Sequence, residues 1–258
     1  MTSEVKTNRA GGVLTITIAR PDKKNALTNA MYGALADAIE SAASDREIRV
    51  ILFQGEGDSF TAGNDIGEFA AQAAGSGPAE RHVFRFLDSL ARTSIPVIAA
   101  VQGKAVGVGT TMLLHCDYVI LTEDAQLITP FINLALVPEA ASSYLLPLRI
   151  GHARAFEMFA FGDPLPAATA LAWGIANRVV PNAELQSEAR RAAERIAAKP
   201  HGSMTAMKQL MRDVAKLASQ MDAERAIFTK RLESDEAREA FTAFAEKRQP
   251  DFTRIQLR

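Results

Sequence analysis

Between Leu134 and Pro147 the chain reads "LALVPEAASSYLLP", with a single charged residue, Glu139, among apolar and small ones. A solvated loop would be more polar, and a core helix would avoid the carboxylate. Loss of solvent disfavours the ionised form of a carboxyl group, so a glutamate in such company becomes a stronger base. The chemistry this suits is that of a catalytic base. A purely structural reading also exists: Pro138 at the first position of a helix, with Glu139 in the first turn favoured by the helix dipole. The two readings are compatible.

Two glycine-bearing loops could supply the other half of such a reaction, a set of donors for a developing oxyanion. In "GEGDSFTAGNDIGEF" (55–69) a strand ends, small residues follow, and a helix begins near Asp65. Backbone N–H groups at such a turn can donate to an anion, and Ala62 and Gly63 leave room for a ligand to approach the main chain. Taken alone, the same stretch also fits an ordinary loop, in which Asn64 shapes the turn and Asp65 caps the helix. In "QGKAVGVGTTMLLHCD" (102–117), Gly103, Gly107 and Gly109 lack the G-x-G-x-x-G spacing of a dinucleotide loop. Their more plausible use is to let the N–H of Val108 face a ligand at a helix start. Thr110 and Thr111 could hydrogen-bond to a ligand there, although threonines in such places are usually structural.

Other reactive residue types offer less. Ser142 and Ser143 have no histidine beside them in the sequence, so a serine nucleophile is not indicated. The four histidines show no metal-ligand spacing, and no metal is expected. Cys116, the only cysteine, cannot form an internal disulfide; in "LLHCDYVI" it reads as a buried, inert thiol.

The elements that must position these residues follow from periodicity. "VLTITIARP", "IRVILFQG", "IPVIAAVQG" and "CDYVILTED" read as strands, the second with four consecutive apolar residues that imply burial on both faces. Thr28 is a candidate N-cap for a helix bearing Met31, Leu35, Ala38 and Ile39 on one face, and "RHVFRFLDSL" is helical by spacing. Strands separated by helices recur up to about residue 130, so the class is α/β. From Gly151 the pattern is mainly helical, with one more strand in "IANRVV". The division expected is a core over residues 1–199 and a C-terminal helical region over 200–258.

The chain has 258 residues, 48% of them apolar, and a net charge of −1, enough for a sizeable core and not the balance of a nucleic-acid binder. The N-terminus has no apolar signal core, and the most membrane-like stretch, 95–114, is interrupted by Gln102, Lys104 and glycines. A soluble, cytoplasmic protein without membrane or nucleic-acid partners is expected.

Four segments in order, "IARPDKKNAL", "FTAGNDI", "GKAVGVGTTMLLHCDYVI" and "ALVPEAASSYLLP", resemble the enoyl-CoA hydratase/isomerase (crotonase) superfamily, and the likeness extends to "AFTAFAEKRQPDF". The resemblance implies a crotonase-like spiral of ββα units, a C-terminal helical oligomerisation region and a homotrimer or dimer of trimers. It also implies an acyl-CoA thioester as substrate, with no cofactor beyond the coenzyme A that the substrate carries. By resemblance the oxyanion donors are the N–H groups of Ala62 and Val108. Lys24, Ala26, Ala62, Gly63, Asn64, Asp65 and Ile66 match coenzyme-binding positions, and Phe244 and Lys247 match tail residues that can reach the ligand. Members that hydrate 2-enoyl-CoA carry two glutamates where this chain has Thr111 and Phe131, neither of which can activate water. "PEAASSY" is similar instead to the acid-bearing segment of peroxisomal-type Δ3,Δ2-enoyl-CoA isomerases, with Phe131, Leu134, Leu136 and Val137 as apolar neighbours of Glu139. The expected activity is a C3-to-C2 double-bond shift by a single acid/base. The alternatives are a hydratase, or a non-catalytic acyl-CoA-binding homologue.

Overall fold

The run Val50, Ile51, Leu52, Phe53 is buried throughout, and its side chains alternate between two cores. Ile51 and Phe53 face a large core that includes the first two long helices of the sheet's helical side; Val50 and Leu52 face a smaller one. This is the burial on both faces that a parallel, doubly covered strand requires.

The computed structural model describes residues 2–73 and 75–255. In chain order, β1 (Val5–Ala10) and β2 (Val13–Ile18) precede α1 (Asn29–Ser44) and β3 (Val50–Gly55). Helices α2 (Ile66–Ala73) and α3 (His82–Arg92) lead to β4 (Val97–Val101), β5 (Lys104–Val106) and the single-turn α4 (Val108–Thr111). Then come β6 (Tyr118–Thr122), β7 (Gln126–Ile128), α5 (Ser142–Ile150), α6 (His152–Phe161), β8 (Leu165–Pro166), α7 (Ala167–Ala172) and β9 (Arg178–Val180). The remainder is helical: α8 (Leu185–Ala197), α9 (His201–Leu210), α10 (Val214–Leu232) and α11 (Asp235–Ala245).

One sheet has the order β1-β2-β3-β4-β6-β9, parallel from β2 onward, and a second has the order β5-β7-β8. Each turn of chain gives a strand to the first sheet and its neighbour to the second: β4 and β5, β6 and β7, β9 and β8. The result is the expected spiral of ββα turns. Helix α8 covers the outer face of the large sheet with Leu185, Ala189, Ala193 and Ala197, a stripe at four-residue spacing that is mostly alanine and so permits close approach. The α1 cap is as read from sequence: the Thr28 side chain accepts from Met31 N.

The edge strand β1 was not anticipated. "VKTNRA" is almost wholly exposed, so it lacks the apolar alternation by which strands are recognised. The C-terminal helices are not detached from the core. Lys208 of α9 is buried, and its Nζ donates to Ile95 O and pairs with Asp117, both at 2.7 Å.

Candidate active site

Ligands of open parallel sheets sit outside the carboxyl ends of the strands, and the loops leaving β3 and β5 meet there. Thr61 N donates to Lys104 O and Val106 N to Thr61 O, a bridge that locks one loop on the other. Gly63 has φ +84°, and a Cβ there would fall 2.7 Å from Val106 O; one on Gly109 would fall 2.5 Å from the Thr61 methyl. The small residues are therefore required by the packing of the two loops, not by a ligand's approach.

This packing corrects one expected donor. Ala62 N donates to Lys24 O at 2.9 Å, which commits the N–H that was expected to meet the substrate. Thr61 N, Gly63 N and Asp65 N are likewise bonded, to Lys104 O, the Thr61 hydroxyl and Leu27 O. Among the described residues of this loop, Asn64 N is the one between 61 and 65 with no protein acceptor. Its bridge to Leu27 is made through Gly63 O and Asp65 N, so its own N–H points away from Leu27. Val108 opens α4, where the first N–H groups have no intrahelical acceptor. Gly107 N, by contrast, is bonded to Ile128 O.

Glu139 stands outside any helix. α5 starts at Ser142, and Ala140 and Ala141 have φ of +61° and +54°, so the expected first-turn position after Pro138 is not what forms. Two successive non-glycine residues in the left-handed region cost roughly 1–2 kcal/mol each, and the surroundings hold them there. His115 Nε2 bonds to Ala140 O at 2.7 Å, which makes that nitrogen the donor of a neutral ring; burial pushes its pKa down to about 4. Glu224 of α10 accepts from Ala141 N at 2.6 Å, from Ser143 N at 3.0 Å and from the Ser143 hydroxyl. The turn thus delivers the Glu139 carboxylate to a fixed place, where the Thr111 hydroxyl donates to it at 2.5 Å. Loss of solvent pushes Glu139 up to about 7; the Thr111 bond opposes this, and the nearby Glu224 charge adds to it.

Glu139 keeps partial exposure, and it lines a cleft of about 820 Å³ that includes space open to solvent. Leu27, Tyr32, Asn64 and Asp65 form one side, Val83, Phe84 and Leu87 of α3 another, and Met221, Glu224, Arg225 and Phe228 of α10 a third. Tyr32 is buried, donates to Asn64 Oδ1 at 2.6 Å, and feels the Glu139 charge, which together with burial raises its pKa well above the usual phenol value. The mostly apolar lining suits an acyl chain better than water.

Of the residues expected at the site, Glu139, Asn64 and Asp65 line this cleft. Asp65 also caps α2, its Oδ1 accepting from Gly67 N and Glu68 N, while Arg20 pairs with its other oxygen at 2.7 Å. Thr111 reaches the site through its bond to Glu139. Phe131 and Leu136 do not line the cleft. They are buried with Phe241 and Leu232 in an aromatic cluster that backs it, joined through Phe69 and Phe228, which belong to both. Lys24 is exposed and pairs with Asp58 at 2.7 Å; Lys24, Ala26 and Ile66 all lie outside the cleft lining. Phe244 is exposed on α11 and Lys247 follows that helix; neither lines the cleft. Tyr32, Arg81, Phe84, Glu224 and Arg225 were not expected, because nothing in their local sequence separates them from ordinary amphipathic helix residues. Cys116 is buried with its thiol pushed up to about 12, as an inert cysteine should be.

A spiral α/β core with the desolvated Glu139 carboxylate in a largely apolar cleft at its strand ends defines a protein of the crotonase type. The chain belongs to the enoyl-CoA hydratase/isomerase family, whose family model matches residues 8–255. It is similar to 1,2-epoxyphenylacetyl-CoA isomerase of Escherichia coli K12, 33% identical over 94% of this chain and 95% of that one. Enoyl-CoA delta isomerase 2 of Rattus norvegicus is 36% identical over 78% of this chain and 52% of its own length. Among solved structures, an enoyl-CoA hydratase/isomerase from Pseudoalteromonas atlantica T6c superposes with a TM-score of 0.92 at 40% identity, covering 97% of this chain and all of that one. No described helix is long and apolar enough to cross a membrane.

Proposed function

We propose that this protein binds a 3-enoyl-CoA and shifts its double bond to C2, with Glu139 as the only acid/base. The observation that carries the reading is one carboxylate, desolvated to a pKa of about 7, held by Thr111 in an apolar cleft. A group that must first accept a proton and then return it works best when its pKa is near the working pH. Glu139 takes the proton from C2, negative charge moves to the thioester oxygen, and the same carboxyl returns the proton to C4. The N–H groups of Asn64 and Val108 are the donors assigned to that oxygen. Each such donor contributes roughly 100- to 1000-fold when it is matched to the charged state.

Hydration is less well supported. Thr111 stands at one position of the hydratase pair and is already engaged with Glu139, and Phe131 at the other is packed among aromatic rings. Neither can hold and activate water. Self-association, proposed as a homotrimer or dimer of trimers from the family resemblance, has an available apolar surface in the exposed Leu210 and Met211 at the end of α9; sedimentation of wild type against Leu210→Ser tests it. The reaction is tested by incubating the protein with 3-enoyl-CoA in labelled water. The 2-enoyl product without 3-hydroxyacyl-CoA is expected, and a 3-hydroxy product as the main one overturns the assignment.

A further inference from the structure

Two arginines in the cleft are not accounted for by that reaction. Arg81 and Arg225 both line it, and both stack on Phe84, 4.7 and 4.2 Å from the ring centre. The two charges therefore stand no further apart than the sum of those distances. Arg81 is partly buried, and its pKa is lowered by loss of solvent and then by Arg225. It also precedes the first residue of α3, the positive end of an eleven-residue helix, where a lone cation is disfavoured. Among the described residues no carboxylate pairs with it. Arg225 has only loose partners, Asp88 at 3.7 Å and Asp222 at 3.6 Å, and its Nε is buried without an acceptor.

The cleft's acids do not compensate. Asp65 pairs with Arg20, Glu68 accepts from Asn29 N, Glu139 accepts from the Thr111 hydroxyl, and Glu224 accepts from the 141–143 backbone; none forms an ion pair with Arg81 or Arg225. Partly desolvated like charges with unfilled donors are costly unless an anion completes them. The half-buried Phe84 ring holds both guanidinium groups at the wall of one cleft, and guanidinium forks suit a planar carboxylate.

We infer that the preferred substrate is an acyl-CoA whose acyl chain ends in a carboxylate, received by the arginines Arg81 and Arg225 of this cleft. This rests on the cleft being the acyl site of the proposed reaction. Coenzyme phosphates are the other possible anion, and the two sources make different predictions. The test is calorimetric titration of the intact protein with two saturated six-carbon acyl-CoAs, one ending in a methyl group and one in a carboxylate. Neither can be isomerised, so binding is read apart from turnover. Wild type is expected to bind the carboxylate form about 10- to 100-fold more tightly. Arg81→Met should remove that preference while leaving the affinity for the methyl-ended ligand unchanged, which also shows that the variant is folded. Arg81→Lys should restore part of it, and Arg225→Met should give a second, independent loss. Equal affinities in wild type overturn the inference, as does an equal loss for both ligands in Arg81→Met, the result expected if the arginines hold phosphate. Failure to bind either ligand would overturn the acyl-CoA reading itself.

Discussion

Replacing Thr111 by valine removes one hydroxyl from the site and almost nothing else. The residue is buried, the two side chains have nearly the same shape, and the hydroxyl's principal bond is to Glu139. That bond favours the ionised carboxylate and opposes the effect of burial, which together leave the pKa at about 7. A hydrogen bond to a charged group is worth roughly 1.5–3 kcal/mol, and about 1.4 kcal/mol corresponds to one pH unit. In Thr111→Val the carboxyl should therefore titrate about one to two pH units higher. The proposed base acts only when ionised, so the acidic limb of kcat/KM for 3-enoyl-CoA isomerisation should move up from about 7 by that amount. Because wild type is only half ionised at pH 7, the variant should be roughly 5- to 50-fold slower there, with most of the loss recovered at high pH. Thr111→Ser, which keeps the donor, should behave much like wild type. A uniform loss with the midpoint still near 7 would refute the reasoning, because Thr111 would then act on something other than the charge of Glu139.

Other perturbations have equally defined outcomes. Glu139→Gln should lower isomerase turnover by roughly 100- to 10,000-fold while leaving acyl-CoA affinity nearly unchanged by titration calorimetry; retained turnover removes Glu139 from the mechanism. The same variant should be more stable than wild type above neutrality. The fold holds the Glu139 proton up to about pH 7 whereas the unfolded chain releases it near 4.5, so the ionisation penalty is absent below 4.5, grows between the two and is complete above 7. Denaturant melts should show no gain at pH 4 and a gain of up to about 3 kcal/mol at pH 8. Gly63→Ala should reduce both stability and turnover, since the added methyl meets Val106 O at 2.7 Å and the left-handed backbone disfavours it; unchanged activity would mean that the two loops can separate without consequence. Lys208→Met should cost roughly 1–3 kcal/mol, read as a lowered thermal midpoint, because Ile95 O and Asp117 lose their shared donor.

Apart from its exposed edge strand β1, the large sheet was legible because its strands are short apolar stretches, and burial on both faces leaves no other use for a segment such as Val50 to Phe53. Glu139 was legible for the converse reason, a charge where charge is expensive. Its backbone was not. The proline before it suggested a helix start, but the left-handed pair Ala140–Ala141 forms because Glu224 and His115, both distant in sequence, bond to the turn. For a similar reason it was not legible that the Ala62 N–H in the first loop is engaged. Ala62 and Asn64 differ in where their N–H groups point, and that is fixed by which of them pairs with Lys24 and which with none, a matter of tertiary register.

The region after residue 200 reads from sequence as an appendage of amphipathic helices, yet α10 supplies a wall of the cleft. The same helix places Glu224 under the turn that carries Glu139 and Arg225 against Phe84. Residues 224 and 225 point to different tasks because successive positions on a helix face about 100° apart. One fixes the base; the other looks into the space where an acyl tail would end. A displacement of α10 would therefore alter Glu139 geometry and acyl selection together, whereas a substitution at only one of the two residues should separate them.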